Sequence, residues 1–461
     1  MSQGSSDMGR RIHMMGIAGA GMSALAELLA RRGAVVTGCD SAPGSVPDLE
    51  RLGISVLHAH DPSHVEGMDE VIVTSAVPAD HAELKRAREL GITVTRRAEA
   101  LGREVSGGVL IAIAGTHGKT TTTVMATEAL AAAGREPTGI AGGRVGAWGG
   151  NLRAGNDNLF VVEADEYDRS FHALTPTIAV VTNVEADHLD IYPGGIGEIR
   201  EAFTKFARQA RTVVVCLDDV EARTLPTPRG AEVIGYGTDA STARLVATSF
   251  KAGKGGNSFQ VEYDGQHLGE ITLSVPGVHN VRNALAAIGA GLAAGATLGE
   301  MRLGLESFAG VERRFQLIGE LAGMTIIDDY AHHPTEIVAT IAAARAAYED
   351  RRLIAAFQPH LYTRTRDFHR EFASALSAAD AVYLCDIYPA REQPIEGVTS
   401  AMIASRMRDL GAPPVWEGPR TELASALAAS ARAGDVILML GAGDITRSAP
   451  ELVSLLEKGK M

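Results

Sequence analysis

Cysteine is scarce, with only Cys39, Cys216 and Cys385 in 461 residues. An odd and scattered set offers neither a disulfide framework nor a paired zinc spacing, and it suits a reducing compartment; ordinary buried or half-buried thiols are expected. Long apolar runs are missing too. No stretch reaches about 18 apolar residues, and the opening MSQGSSDMGRR has no apolar signal segment, so the expectation is a cytoplasmic protein with no membrane partner. There is no basic excess, since 43 Lys and Arg face 56 Asp and Glu for a formal net charge of −13. That balance excludes an electrostatic footprint for nucleic acid, and any anionic ligand must be held by local groups. What is present is a globular composition, 46% apolar and 21% charged, on a chain long enough for roughly three domains.

The most informative stretch is Ile111 to Val124, IAIAGTHGKTTTTV. It reads as an apolar strand, a glycine-bounded turn and a helix opening on Lys119. Backbone N–H groups of such a turn and the helix N-terminus hold phosphates, the lysine adds a point charge, and the next Thr hydroxyl ligates magnesium. Gly115, Thr116, His117, Gly118, Lys119, Thr120 and Thr121 are therefore candidates for binding ATP or GTP. The usual spacing wants a glycine where Ile113 stands, so the loop is a variant.

Residues 12 to 40 give a second strand, glycine turn, helix and strand. Gly16, Gly19 and Gly21 allow close backbone approach, Ser23 keeps the helix start small, and Asp40 ends the next strand. A dinucleotide-dependent dehydrogenase and other phosphate-containing ligands both fit this pattern. Strand and helix alternate through Ile54 to His60, Val71 to Ala76 and Ile92 to Arg97, giving a Rossmann-like domain that ends near Glu104. His58, His60, His64 and His81 lie in loop-like sequence and read as solvated, with only His60 a candidate for a site.

In the middle of the chain, the glycine-rich segment 139 to 157 reads as a loop near the site. The strands Leu159 to Glu163 and Thr177 to Asn183 run into Glu163-Ala-Asp165-Glu166 and Asn183-Val-Glu185-Ala-Asp187-His188. Ligands collect at the carboxyl ends of parallel strands. Glu163 with Thr120 suits one magnesium and His188 a second ion. Asp218-Asp219 reads as a solvated turn. Arg244 to Val275 alternates like an antiparallel hairpin extension, with turns at 253 to 256 and at Asp264-Gly265. His279, Asn280 and Asn283 open an Ala-rich helix, where adenine recognition and N-capping are equally open.

The last third places Arg313, Arg314 and a strand Met324 to Ile327 before Asp328-Asp329-Tyr330-Ala-His332-His333-Pro334-Thr-Glu336. A strand Leu353 to Phe357 precedes Gln358-Pro-His360-Leu-Tyr362-Thr-Arg364. Such loops suit a small anionic substrate or a phosphate. Adjacent histidines on extended backbone point opposite ways, which argues against zinc at His332-His333. Val436 to Asp444 is a closing strand with a glycine turn.

With GTHGKTTTT, EADE, TNVEADHLD, HNVRNA, DDYAHHPTE and FQPHLYTRTRD in this order, the chain resembles the Mur ligase family over nearly its whole length, and most of all its alanine-adding members. The resemblance implies an α/β protein of three domains. These are a Rossmann-like UDP-sugar domain (1–104), a central P-loop ATPase-type domain (105–311), and a Rossmann-like C-terminal domain (312–461) that binds the amino acid and closes on ATP. It reassigns the first glycine loop to the uridine diphosphate, with Gly16, Gly19, Gly21, Met22, Ser23, Asp40, His60, Ser75 and Ala76 around the UDP-sugar. The implied reaction ligates L-alanine to the lactyl carboxylate of UDP-N-acetylmuramate through an acyl phosphate, using ATP and Mg2+. Lys119, Glu163, Asn183, His188, His332 and Arg364 would be catalytic, with Thr120, Glu163 and His188 on magnesium. His279, Asn280, Asn283, Arg314 and Asp329 would serve ATP, and Tyr330, His332, His360 and Arg364 the amino acid. A monomer or weak homodimer is expected.

Two departures bear on this. Several relatives carry a carbamylated lysine where this chain has Phe203, with Lys205 nearby; the alanine-adding members lack it too. At Leu361 those members often place an arginine, which leaves Arg364 as the main partner of the amino acid's carboxylate. The competing expectations are a ligase recycling a murein tripeptide onto the same UDP-sugar, and a nucleotide-binding regulator without turnover.

Overall fold

The computed structural model describes residues 8–41, 46–253, 256–390 and 392–458. Among them are three sheets, each built from apolar strands followed by helices. The first holds β1 (Arg11–Met15), β2 (Val35–Cys39), β3 (Ser55–Leu57), β4 (Glu70–Val73) and β5 (Thr93–Arg96) in the order β3-β2-β1-β4-β5. All its pairings are parallel. The order reverses beside β1, which puts the β1 glycine turn at a topological switch point, where ligands of open parallel sheets bind.

The second sheet has ten strands: β6 (Val109–Ala114), β7 (Thr138–Val145), β8 (Gly150–Arg153), β9 (Leu159–Glu163), β10 (Ile178–Val181), β11 (Thr212–Cys216), β12 (Glu232–Gly237), β13 (Leu245–Gly253), β14 (Gly256–Tyr263) and β15 (Gln266–Leu273). Their order is β15-β14-β13-β12-β11-β10-β6-β9-β7-β8, so β6, which carries the phosphate-type loop, is central between β10 and β9. Its residues Leu110 to Ala114 are buried, as a parallel strand covered on both faces must be. The expected hairpin extension is β13 to β15; of its first turn, residues 254 and 255 lie outside the described residues.

The third sheet runs β16-β17-β21-β18-β19-β20, from β16 (Gln316–Leu321), β17 (Met324–Asp329), β18 (Leu353–Phe357), β19 (Ala381–Cys385), β20 (Trp416–Gly418) and β21 (Val436–Leu440). The strand that closes the chain is thus central in its sheet, parallel to both β17 and β18.

By compactness the chain divides into two units, Met1–Thr248 with Gln260–Ile271 and Arg282–Ser307, and Ser249–Phe259 with Thr272–Val281 and Phe308–Met461. The first two sheets belong to one unit because they share a core. Leu25 and Leu28 of the helix Ala20–Arg31 join Ile140, Leu152 and Phe160 in one buried cluster. Arg32 reaches both Glu104 and Asp157, and Arg144 pairs with Asp48.

Several expectations are corrected. The glycine-rich segment is not a loop but the strands β7 and β8, paired antiparallel. Glycine is a poor strand former, so the pattern reads as loop, yet glycine is tolerated where another group must approach the backbone closely. An edge strand, β16, was not foreseen; it pairs antiparallel with β17 through Ala322 and Gly323, at φ of 53° and 79°, a tight two-residue hairpin. Asp218 and Asp219 are half-buried: Asp218 accepts from Arg282 and Thr238, and Asp219 from the amides of Val184 and Ala222.

Phe203 is fully buried against Phe171, edge to face at 5.3 Å, while Lys205 is exposed. The position where the family resemblance would look for a modified lysine is therefore core here. A Phe203→Ala substitution is expected to cost about 3–5 kcal/mol of stability by urea denaturation; a loss under about 1 kcal/mol would mean the ring does not hold this core together.

Candidate active site

In the first unit the turn after β6 is clamped from below. Asn183, at the end of β10, accepts from the His117 amide at 2.8 Å and donates to the His117 carbonyl at 3.0 Å. Thr182 donates to the same carbonyl at 2.6 Å, and the Glu185 amide donates to Thr116 Oγ1 at 2.9 Å. Asn183 thus fixes the loop rather than offering a free amide to a ligand. Gly118 adopts φ +80°, and a Cβ there would come within 2.5 Å of Asn283 Oδ1. Only glycine gives this left-handed turn with a neighbour so close. The helix Lys119–Ala132 starts immediately after it, leaving its first amides directed at the loop.

Lys119 is nearly buried. Its Nζ donates to the Gly115 carbonyl at 2.7 Å, to that of Thr116 at 3.3 Å and to Glu166 at 2.7 Å. Burial pulls its pKa down, but Glu166, Asp165 and Glu163 together raise it above the ordinary lysine range, so the ammonium stays charged. Burial pushes the Glu166 carboxyl up to about 7, against the pull of Lys119. Its Oε1 has no hydrogen-bond partner among the described residues and lies 3.9 Å from His188 Nε2. Sequence reasoning passed over Glu166, which shares the acidic run with Glu163; only the fold shows which acid turns toward the lysine. Glu163 itself accepts from the Gly142 amide at 2.6 Å, where a Cβ would sit 2.5 Å from the carboxylate. The glycine-rich strand therefore does reach the site, as a wall. Thr120 is buried at the helix start, and His188 stands at φ 52°, a strained backbone that its own neighbour supports through the bond from the His188 amide to Asp187. Asn283 accepts from Thr122 at 3.3 Å.

At the N-terminal switch point the Gly16 amide bonds to the Cys39 carbonyl, and the Ala18 amide donates to Asp40 at 3.2 Å. Gly19 precedes the helix Ala20–Arg31. Met22 is core, and Ser23 turns its hydroxyl back to the Ala20 carbonyl. Ser75 and Ala76 are exposed in the loop after β4. The guanidinium of Arg97, not foreseen as a site group, lies against Gly21, 2.8 Å from where a Cβ would stand. Of the histidines expected to be solvated, His58 is exposed but His64 and His81 are not. His60, His64 and His81 are half-buried, and the first two face the fully buried Glu83 at 3.5 and 3.0 Å.

The second unit carries its own polar cluster at the ends of β17 and β18. Asp329 accepts from the amides of Phe315 and Ala331, both at 2.7 Å. Arg313 and Arg314 place their guanidinium groups 4.7 and 5.0 Å from the centroid of the Tyr330 ring. Arg314 reaches Glu336 at 3.5 Å. His332 Nδ1 lies 2.9 Å from the Tyr330 carbonyl and 3.1 Å from Glu336, while His333 caps the helix Pro334–Ala347. The two rings serve different purposes. His360 stands 6.0 Å from His332 ring to ring, stacks on Tyr388, and lies 3.3 Å from the buried Arg364. Leu361 is buried at φ 71°. Asn280 donates to the Pro276 carbonyl at 2.7 Å, a local bond consistent with capping, and it and His279 fall in this unit whereas Asn283 falls in the first. The Gly441 turn is packed on Gln358, which spends its amide on Asp444 and Ile445. It serves strand packing.

Burial raises the Asp329 carboxyl from 3.8 to about 6, only partly offset by Arg314 and the two amides. The folded state then holds this proton more tightly than the unfolded chain, so the residue's contribution to stability falls as pH rises from about 4 to about 6. An Asp329→Asn variant, which cannot ionise, is expected to gain on the parent across that window by at most about 3 kcal/mol. Urea denaturation at both ends checks it, and a gap that does not move with pH would refute it.

The sequence matches the Mur ligase family, catalytic domain, over residues 11–107, the Mur ligase middle domain over 113–291, and the Mur ligase, glutamate ligase domain, over 313–443. It is 43% identical over 454 residues to a protein of Salinibacter ruber named UDP-N-acetylmuramate--L-alanine ligase, covering 97% of this chain and 95% of that one. A protein of the same name from Geotalea daltonii is 44% identical over 453 residues, covering 97% and 98%. Among solved structures, the UDP-N-acetylmuramate-alanine ligase of Thermotoga maritima superposes with a TM-score of 0.82 at 30% identity, over 97% of this chain and 99% of the other. With all three domains matched in order over nearly its full length, the chain belongs to the Mur ligase family.

Proposed function

We propose that this chain joins L-alanine to the lactyl carboxylate of UDP-N-acetylmuramate, with ATP cleaved to ADP and phosphate, as a step of peptidoglycan precursor synthesis. The observation that carries the proposal is the near-full-length kinship with ligases of that name, which selects this pair of substrates among those that a P-loop ligase could use. The domains are taken as 1–104, 105–311 and 312–461, a division supported by three successive family matches at 11–107, 113–291 and 313–443.

The phosphates of ATP fit the turn at Gly115 to Thr121, where left-handed glycine, helix amides and a charged Lys119 are already in place. The lactyl carboxylate attacks the γ-phosphorus and ADP leaves, producing an acyl phosphate. The carboxylate carbon, poorly electrophilic as an anion, now carries a good leaving group. Lys119 neutralises charge on the transferring group, the main task in phosphoryl transfer. Around Lys119 stand Glu163, Asp165 and Glu166, more negative charge than one ammonium balances, and Glu166 Oε1 is buried without a hydrogen bond among the described residues. That donor set fits Mg2+, with Thr120, Glu163 and His188, and by this geometry Glu166, as the groups that would hold it. When bound, magnesium supplies charge neutralisation to the phosphate oxygens.

Tyr330, His332, His360 and Arg364 receive the alanine, with Arg364 pairing its carboxylate. Nδ1 of His332 faces two acceptors, so it carries the ring proton and leaves Nε2 as the lone pair that accepts a proton from the alanine ammonium. The free amine attacks the acyl carbon, and the tetrahedral adduct expels phosphate. Arg314 and Asp329 serve ATP. The uridine diphosphate takes the Gly16 to Gly21 turn, with Asp40, His60 and Arg97 around it. The enzyme works in the cytoplasm as a monomer or weak homodimer. No helix among the described residues is long and apolar enough to cross a membrane.

Phosphate release measured with ATP, magnesium and UDP-N-acetylmuramate is expected to require L-alanine and to be weak with glycine, L-serine or the murein tripeptide. Tripeptide-dependent release without alanine-dependent release would identify the recycling ligase instead. Lys119→Ala should cut turnover by about 10²-fold or more; undiminished turnover would remove the lysine from the mechanism. Arg364→Lys should raise the KM for alanine more than it lowers kcat, because the planar two-pronged pairing with a carboxylate is lost.

A further inference from the structure

Away from the P-loop, the N-terminal sheet encloses a cluster that the ligation does not use. His13 in β1, Cys39 at the end of β2, His64 in the turn Pro62–Val65 and Glu83 in the helix Ala82–Glu89 bring one ligand atom each within 4.8 Å of all the others. His13, Cys39 and Glu83 are completely buried. We propose that these four side chains form a zinc-binding site that staples the N-terminal domain.

Three of the spacings are close to those between ligands of one tetrahedral zinc, and all lie within 4.8 Å. Ligand atoms about 2.0–2.3 Å from a shared zinc stand roughly 3.3–3.7 Å from one another. His13 Nε2 lies 3.3 Å from Cys39 Sγ, Cys39 Sγ lies 3.3 Å from Glu83 Oε2, and His64 Nδ1 lies 3.0 Å from Glu83 Oε1. Two imidazoles, a thiolate and a carboxylate form a donor set that favours zinc over magnesium or calcium, which prefer oxygen alone. The charges also close. Glu83 is an acid in the interior whose ion-pairing partners are the imidazoles of His60 and His64. One thiolate and one carboxylate cancel a divalent cation, leaving a neutral site in a place where net charge is costly. Binding sends the thiol proton to solvent.

Supporting hydrogen bonds are also in place. His13 turns its other ring nitrogen to Thr37 Oγ1 at 2.9 Å, Glu83 Oε1 accepts the Asp61 amide at 2.7 Å, and His60 Nδ1 sits 3.1 Å from Cys39 Sγ. Partners of this kind orient metal ligands and tune their basicity. The four residues come from two strands, a turn and a helix, so one ion would tie together elements that are distant in the chain.

The test uses the full chain, stripped with chelator and titrated with Co2+ in excess Mg2+, then with Zn2+. One Co2+ per chain is expected, with a sulfur-to-cobalt charge-transfer band and the intense visible bands of tetrahedral cobalt, all erased by stoichiometric Zn2+. Cys39→Ser should lose the charge-transfer band, and His64→Ala, at the rim of the cluster, should weaken binding at least about tenfold. Zinc should raise the melting temperature of the parent and leave that of Cys39→Ser unchanged. No charge-transfer band, a band that survives in Cys39→Ser and so belongs to Cys216 or Cys385, or affinity unmoved in His64→Ala would each overturn the proposal, leaving a purely hydrogen-bonded cluster. If Cys39→Ser does not fold, the parent's spectrum and the His64→Ala affinity decide.

Discussion

A buried ammonium organises the first unit. Lys119 has little water around it, so its charge must be met by the protein, and it is met by the carbonyls of its own loop and by Glu166. Each contact places a demand on the chain. The carbonyls face inward only if the turn is left-handed at Gly118, and the acid arrives only if β9 lies beside β6. The clamp from Asn183 and Thr182 in turn requires β10 on the other side of β6. The central position of β6 in a ten-stranded sheet is thus the geometric condition for a charged lysine at a phosphate-binding turn.

The same logic accounts for the acids. Three carboxylates around one lysine is an excess of negative charge that a folded protein tolerates only with compensation, and burial answers part of it by raising Glu166 toward neutrality. In the second unit Asp329 follows the same course: it is buried, raised, and held by two backbone amides. Both groups stand at strand ends, where the sheet stops supplying backbone partners and side chains must take over.

That division explains what the amino-acid order made legible. Local chemistry was readable: the strand, glycine turn and lysine at Ile111 to Val124, the strand Leu159 to Glu163 and the helix after Gly277 stand where spacing put them. Contacts set by packing were not. Glu163 and Glu166 are equivalent in a linear reading, and only the bend after β9 turns Glu166 onto Lys119. His13, Cys39, His64 and Glu83 are scattered in sequence and meet because β1, β2, the turn Pro62–Val65 and the helix Ala82–Glu89 pack around one point. The glycine-rich strands β7 and β8 defeated propensity because their glycines answer to neighbours such as Glu163, which no local window contains. The ordered family motifs supplied substrate identity, which residue chemistry alone left open between a dinucleotide and a UDP-sugar.

Left-handed backbone, found elsewhere in turns, also occurs at two of these strand ends. Outside glycine, left-handed backbone costs of order 1–3 kcal/mol in a β-branched or bulky residue and persists only where surroundings impose it. His188 and Leu361 both adopt it, the first after β10 and the second after β18. Each is held by its surroundings: the His188 amide by Asp187, and Leu361 through its amide to the Tyr388 carbonyl and its carbonyl to Thr365. At Leu361 this chain buries the side chain and leaves Arg364, one turn into the helix Tyr362–Leu376, beside His360. The strained leucine thereby fixes where that helix begins, and with it the position of Arg364. On the role proposed for Arg364, the placement of its guanidinium depends on backbone geometry at residue 361 as much as on its own side chain.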